Sequence, residues 1–272
     1  MKQHWKKIVI AVVALVVLVV GGSWVYVEFI KGDPEPAFDT GDLDAAVSDD
    51  TTAGSTGGAT DATDAPGAAS YDTATDGTEP AADATSAPAD ADAGSGAASG
   101  VEGTWNATDA SVLRYRVTES INGFDTEGVG ETNAITGALT IEGTSVTTAD
   151  FTVDMTTFQS DESRRDGQFN GRIMAVDEFP TGTFVLTAPI ELGSIPAEGE
   201  QITATATGDL TLRGTTKSVT FDVTAQLENG KIGVLGSIPV LFADYNIPNP
   251  SFATISTEDN GTLEFILVFE QG

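Results

Sequence analysis

Few side chains in this 272-residue chain have the type and spacing for chemistry, and they form two groups. Asp161-Glu162 and Asp177-Glu178 are adjacent carboxylates, the pairing that hydrolyses glycosides when one acid is protonated and the other ionised. Arg164, Arg165 and Arg172 are guanidinium groups whose planar forks suit phosphate oxygens. Both groups have a plainer reading. The surrounding sequence is acidic enough to supply carboxylate pairs by chance, and Asp161, Glu162, Asp166, Asp177 and Glu178 stand close enough to neutralise the arginines. The rest of the catalytic repertoire is missing. The single histidine is His4, near the N-terminus, and the chain has no cysteine, so its C-terminal part lacks a Ser-His-Asp arrangement and a histidine metal site. No glycine loop runs into a phosphate-binding Lys. We expect a protein that is not an enzyme and that has no catalytic residue and no metal.

Three stretches of different composition must position whatever works here. Residues 1–31 hold Lys2, Lys6 and Lys7 followed by an uncharged apolar run from Ile8 to Val27. As a helix those residues reach about 30 Å, the thickness of a bilayer's hydrocarbon core. Trp5 at one end and Trp24, Tyr26 and Phe29 at the other suit the two interfaces, and the lysines assign the N-terminal tip to the cytoplasm. This predicts a single transmembrane anchor with everything after it extracytoplasmic. Val20, Gly21 and Gly22 leave a second reading open, a cleaved signal peptide and a secreted product. Residues 32–100, rich in Ala, Asp, Thr and Gly, contain 15 acidic residues and no Lys or Arg from Asp33 on. Such a stretch cannot bury enough apolar surface to offset chain entropy, so it reads as a disordered tether spanning about 45 Å.

Residues 101–272 alternate apolar and polar side chains with a period of two, the mark of strands with one wet and one buried face. Leu113, Tyr115 and Val117 begin the series; Ile135, Leu139 and Ile141 follow, then Phe151, Val153 and Met155, then Phe184 and Leu186. Two long strands lie between Gln201 and Leu227, a seventh runs from Ile232 to Phe242, and Leu263, Phe265, Leu267 and Phe269 mark the eighth. Asn229-Gly230 predicts a tight hairpin between the sixth and seventh. Only Ser160 to Phe179 breaks the rhythm, and its apolar spacing suits a short helical stretch. Eight antiparallel strands can pack as a sandwich or close into a barrel, wide enough to fill with side chains or to hold one slender ligand. Ala204, Ala206, Gly208 and Gly236 fall on the apolar face, where small residues either accept facing rings or leave space; we read them as space. Eight basic against 25 acidic residues in this stretch argue against nucleic-acid binding.

Four phrases in register carry a resemblance. Arg165 to Asn170 (RDGQFN), Glu178 to Phe184 (EFPTGTF), Gly208 to Lys217 (GDLTLRGTTK) and Ser237 to Tyr245 (SIPVLFADY) resemble the YceI-like family in order and spacing. The resemblance covers the third stretch and neither of the first two. It implies an eight-stranded antiparallel lipocalin-like barrel whose characterised members hold an isoprenoid chain in an apolar tunnel, so the expected occupant is an isoprenoid or similar lipid. The candidate tunnel lining is Phe151, Met155, Phe184, Leu210, Leu212, Phe221, Val223, Phe242 and Phe265. Arg164, Arg165, Arg172 and Tyr245 are the candidate mouth. Two functions follow. One is a membrane-tethered, extracytoplasmic lipid-binding barrel. The other is an envelope interaction module with a filled barrel whose loops, Tyr245 to Phe252 among them, meet an unidentified protein partner.

Overall fold

Two-residue turns in which both positions take positive φ set the meander of this chain. Asn122-Gly123, Arg213-Gly214 and Asn229-Gly230 all do so, the twist that joins antiparallel strands most tightly. A computed structural model describes residues 35–48, 100–252 and 254–272. Among them are strands β1 (Gly103–Ala107), β2 (Val112–Ile121), β3 (Phe124–Thr132), β4 (Ile135–Glu142), β5 (Ser145–Asp154), β6 (Gln159–Ser160) and β7 (Thr181–Ala188). There follow β8 (Ile190–Glu191), β9 (Gln201–Leu212), β10 (Thr215–Glu228), β11 (Lys231–Leu241), β12 (Ile255–Thr257) and β13 (Asn260–Gln271). Two short α-helices join them, α1 (Thr40–Val47) and α2 (Ser163–Gln168).

All pairings are antiparallel, and the order β1-β4-β5-β7-β9-β10-β11-β13 closes on itself through β1 and β13. Eight strands therefore close the barrel as expected, but β1 takes the place of the expected first strand, which is β2. β2 continues the line of β1 after a break, pairing with the first half of β13 while β1 pairs with the second. Ser111, fully buried at that break, bridges it: its hydroxyl accepts from the Val268 N–H at 3.0 Å and donates to the Val268 carbonyl at 3.3 Å. β3 likewise precedes β4 and pairs with β2. At this end the wall between β3 and β7 has no direct strand pairing, and β6, α2 and a π-helical turn over Phe169–Ile173 occupy the connection. We call residues 163–179 the cap. The barrel thus closes by hydrogen bonds at the end of the Asn229-Gly230 turn and by a helical cap at the other.

One part of the tether reading is corrected. Residues 35–48 are structured: Asp39 caps α1 by accepting from Gly41 and Asp42, Asp42 reaches back to the Asp39 N–H, and Leu43 and Val47 are fully buried. They pack on the outward face of β13, where Ile266 and Val268 are buried as well as the inward Leu267 and Phe269. The apolar run from Phe265 to Phe269 is what a strand covered on both sides looks like. The predicted anchor, residues 1–31, lies outside the described residues. Among the described residues no helix is long and apolar enough to cross a membrane.

Candidate functional site

Inside the barrel the strand pleat sends alternate side chains to one space, and they leave it partly empty. A cavity of about 150 Å³ lies at its centre, and the side chains that face it are apolar; Thr183 borders it too, but in the outward phase of its strand. Phe151, Met155, Phe184, Leu210, Leu212, Phe221, Val223 and Phe265 all line it. Phe242, the ninth residue expected there, belongs instead to a second cavity of about 90 Å³ beneath the cap. Its displacement has a local cause: the last strand residue is Leu241, and Phe242 begins a 3-10 turn that carries the chain inward under the cap. A third cavity of about 60 Å³ lies toward the closed end.

The three stand in file and share walls. Met155, Leu212 and Leu263 border both the central cavity and the one beneath the cap, while Leu139, Ile202 and Val234 are among the residues bordering both the central and the third. An apolar void of about 150 Å³ lined by Leu, Ile and Phe stays dry and admits a benzene-sized guest. A longer chain needs the shared walls to part, and Met155, with three rotatable bonds and no branch, is suited to swing aside.

The small residues divide. Ala204 and Ala206 line the central cavity, as expected of residues that leave room. Gly208 and Gly236 do not: a side chain at Gly208 would collide with the ring of Phe184, and one at Gly236 with that of Phe265. These glycines seat rings, and the rings make edge-on contacts with Phe221 at 5.6 and 6.0 Å between centroids.

The cavity beneath the cap is apolar but for Tyr115, Glu119 and Arg165; Arg116 and Thr262 also border it, in the outward phase of their strands, Arg116 bonding to Glu127 and Glu264. Phe169 stacks on Tyr115 at 4.9 Å and leans against Phe158 at 5.1 Å, which pins the π-helical turn onto the barrel. Glu119 is buried and pairs with Arg165 at 3.5 Å; Arg165 also pairs with Asp161 one helical turn away. Burial opposes the charge on Arg165, yet Glu119 and Asp161 outweigh it and hold the guanidinium above its ordinary pKa. Burial also drives the Tyr115 hydroxyl well above the usual tyrosine range, although the nearby Arg165 charge pulls the other way. Outside this cavity lies a polar groove of about 260 Å³ that includes Asp161, Glu162, Arg164, Gln168 and the exposed ring of Phe252. Glu119, Arg165, Ile173 and Pro250 border both spaces, so the ion pair stands in the partition between an apolar interior and a charged exterior.

Of the expected mouth residues, Arg164 and Arg165 border the groove. Arg172 and Tyr245 do not line these spaces. Arg172 donates to the carbonyls of Asn249 and Pro250 at 3.0 and 2.9 Å, latching the loop before β12 to the cap. Tyr245 is 3% exposed within the core, its hydroxyl raised in pKa by burial and then by Asp244. Sequence reasoning missed Glu119 and the pair Gly128 and Gly130. The signal was present: Glu119 continues the inward phase of Leu113, Tyr115 and Val117, an acid where a hydrophobe is due. Opposite, β3 offers bare backbone, because Tyr115 fills the space over Gly130, and Glu119 and Arg165 that over Gly128.

The YceI-like domain family matches residues 105–269. The chain belongs to that family. Among solved structures, the YceI-like barrel is similar to a polyisoprenoid binding domain from Saccharophagus degradans implicated in plant cell wall breakdown, with a TM-score of 0.52 at 16% identity over 63% of this chain and 99% of that one. BcnA from Burkholderia cenocepacia is 21% identical over 58% of this chain and 95% of its own, with a TM-score of 0.46. The Campylobacter jejuni YceI protein is 17% identical over 50% and 82%, with a TM-score of 0.38. Comparison with curated protein sequences gives no match. Among the described residues no cluster of three or more His, Cys, Asp or Glu could hold a metal ion.

Proposed function

We propose that the YceI-like barrel binds one long apolar chain, an isoprenoid or a similar lipid, along the file of three cavities, and that it performs no chemistry on it. The observation that carries this reading is the central cavity, whose wall is made of apolar side chains, Thr183 bordering it between the inward Gly182 and Phe184 while its side chain shares the outward face of Thr152 and Thr211. Each methylene withdrawn from water into such a wall contributes about 0.8 kcal/mol, so a hydrocarbon tail needs a dry, continuous lining and no special side chain. The polar end of the ligand would rest at the partition, with Arg165 of the cap bordering the cavity beneath it and Arg164 in the outer groove. The shared fold with a polyisoprenoid binding domain supports the choice of ligand class. We further infer that Ile8 to Val27 anchors the protein in a membrane with the barrel on the extracytoplasmic side, from the apolar length and the lysines before it.

Mass spectrometry of organic extracts from the purified protein tests the proposal. The expected result is one equivalent of an isoprenoid or other long-chain lipid per barrel, or uptake of an added polyprenol to that level. A barrel that is clean as purified and also refuses polyprenol overturns the lipid reading.

A further inference from the structure

Residues 35–48 fall between the apolar N-terminal run and the acidic stretch, yet they are fastened to the outer wall of the barrel. An isolated helix of eight residues does not persist in water, so α1 owes its existence to what it touches. Leu43 and Val47, one turn apart, lie over Gly233 of β11: a methyl group placed there would come within 2.6 Å of Val47 Cγ1 and 2.7 Å of Leu43 Cδ1. Bare backbone at that point lets the helix approach, and Ile266, Val268 and Leu235 form the apolar floor around it. Polar contacts flank the seam. Gln226, 1% exposed, donates to Asp44 Oδ1 at 2.9 Å, and Asn229 donates to the Val47 carbonyl at 3.3 Å. Upstream, Arg114 lies 4.1 Å over the ring of Phe38 and pairs with Glu35 at 2.6 Å.

The chain leaves α1 beside the Asn229-Gly230 turn. Val101 borders the third cavity together with Leu227 and Ile232, which flank the same turn. Val47 and Val101 therefore lie at the same end of the barrel. We propose that residues 35–48 are a clip that hangs the barrel directly on its anchor, so that the spacer between membrane and barrel is the short segment 28–34. This rests on the anchor reading above. Seven residues, 28–34, separate Val27 from Glu35. They reach at most about 25 Å, which holds the barrel nearer the bilayer than a long tether would.

The chain has no native cysteine, so single labels are clean. A donor dye on Val185→Cys, on the exposed face of β7, and acceptor lipids in vesicles report the height of the barrel in the full chain. Replacing 50–96 with a short Gly-Ser linker should leave energy transfer unchanged, whereas Gly233→Val, which suits a strand but closes the gap under α1, should lower it severalfold. If the replacement raises transfer and Gly233→Val does nothing, 49–99 is the spacer and the clip is wrong. A chain that fails to enter vesicles overturns the anchor reading instead. The clip is then judged alone by the pair Val47→Cys and Gly233→Cys, which should oxidise to a disulfide nearly completely under conditions where Val47→Cys with Val185→Cys does not; equal yields overturn it.

Discussion

The central cavity and the one beneath the cap are neighbours in a single barrel, yet their walls are chemically opposed. One is bounded by aliphatic and aromatic side chains. The other adds a buried phenol and an ion pair that also faces a charged groove. On the proposed reading, this difference would let an enclosed sheet sort the two ends of an amphipathic ligand without a dedicated recognition loop. Strand alternation keeps the middle dry, and the switch from hydrophobe to acid at Glu119, in the same inward phase, marks where water and charge begin.

The largest test of that contrast is to remove the dry half. Ala206 faces Phe221 across the β9–β10 pair and lines the central cavity, so Ala206→Phe places a phenyl ring in a space of about one benzene. It would displace roughly six carbons of a bound chain, worth about 5 kcal/mol at 0.8 kcal/mol per carbon, and polyprenol retention should fall more than thousandfold. The barrel itself should lose no more than about 1–3 kcal/mol, the usual cost of overpacking. Retention unchanged in a folded variant would show that the chain does not pass through this cavity.

Next in size is the partition. Glu119→Ala leaves Arg165 with Asp161 alone and should cost about 2–3 kcal/mol in a denaturant titration, less than a fully buried pair because one partner survives. Replacing Glu119 and Arg165 together by leucine should cost less than Glu119→Ala, since the one charge that loses its partner is then the exposed Asp161. For binding, Arg165→Ala should weaken a phosphorylated isoprenoid more than the corresponding alcohol. Equal losses would remove Arg165 from the head-group site and reduce the pair to a structural fastening of the cap.

How much of this contrast could be read from the chain depends on where periodicity speaks plainly. The dry cavity was legible because each of its strands alternates: Leu210 and Leu212 face inward between threonines, and eight of nine chosen residues meet there. Phe242 went astray because alternation cannot show where a strand ends and the backbone turns. β3 was invisible because its inward positions are Gly128 and Gly130, which carry no apolar signal and are chosen for what lies above them. Tyr115 and Glu119 supply the bulk from across the pair, so a period-two reading of β3 alone finds nothing to count. α1 was hidden for the complementary reason. Its apolar content is only Leu43, Ala45, Ala46 and Val47, too little for a helix until the outward Ile266 and Val268 of β13 are known to need a cover.

The smallest effect separates the two cavities by pH. Tyr115 is buried beneath the cap with its pKa raised above the ordinary tyrosine value of about 10, so the fold favours the neutral phenol. Its contribution to stability is therefore complete below pH 10 and is lost as pH rises beyond it, because the unfolded chain ionises first. At pH 11 that loss is about 1.4 kcal/mol. Tyr115→Phe should cost about 1 kcal/mol near pH 8 by giving up the hydrogen bond between its hydroxyl and the Ser160 side chain, but it cannot ionise, so its deficit should close or reverse by pH 11. Thermal melts of both proteins at the two pH values measure this directly. Tyr245 keeps its own alkaline sensitivity in both and cancels from the comparison. A constant deficit would mean that the space under the cap is wet enough to solvate a phenolate, and the partition would then have to lie deeper, at Met155, Leu212 and Leu263.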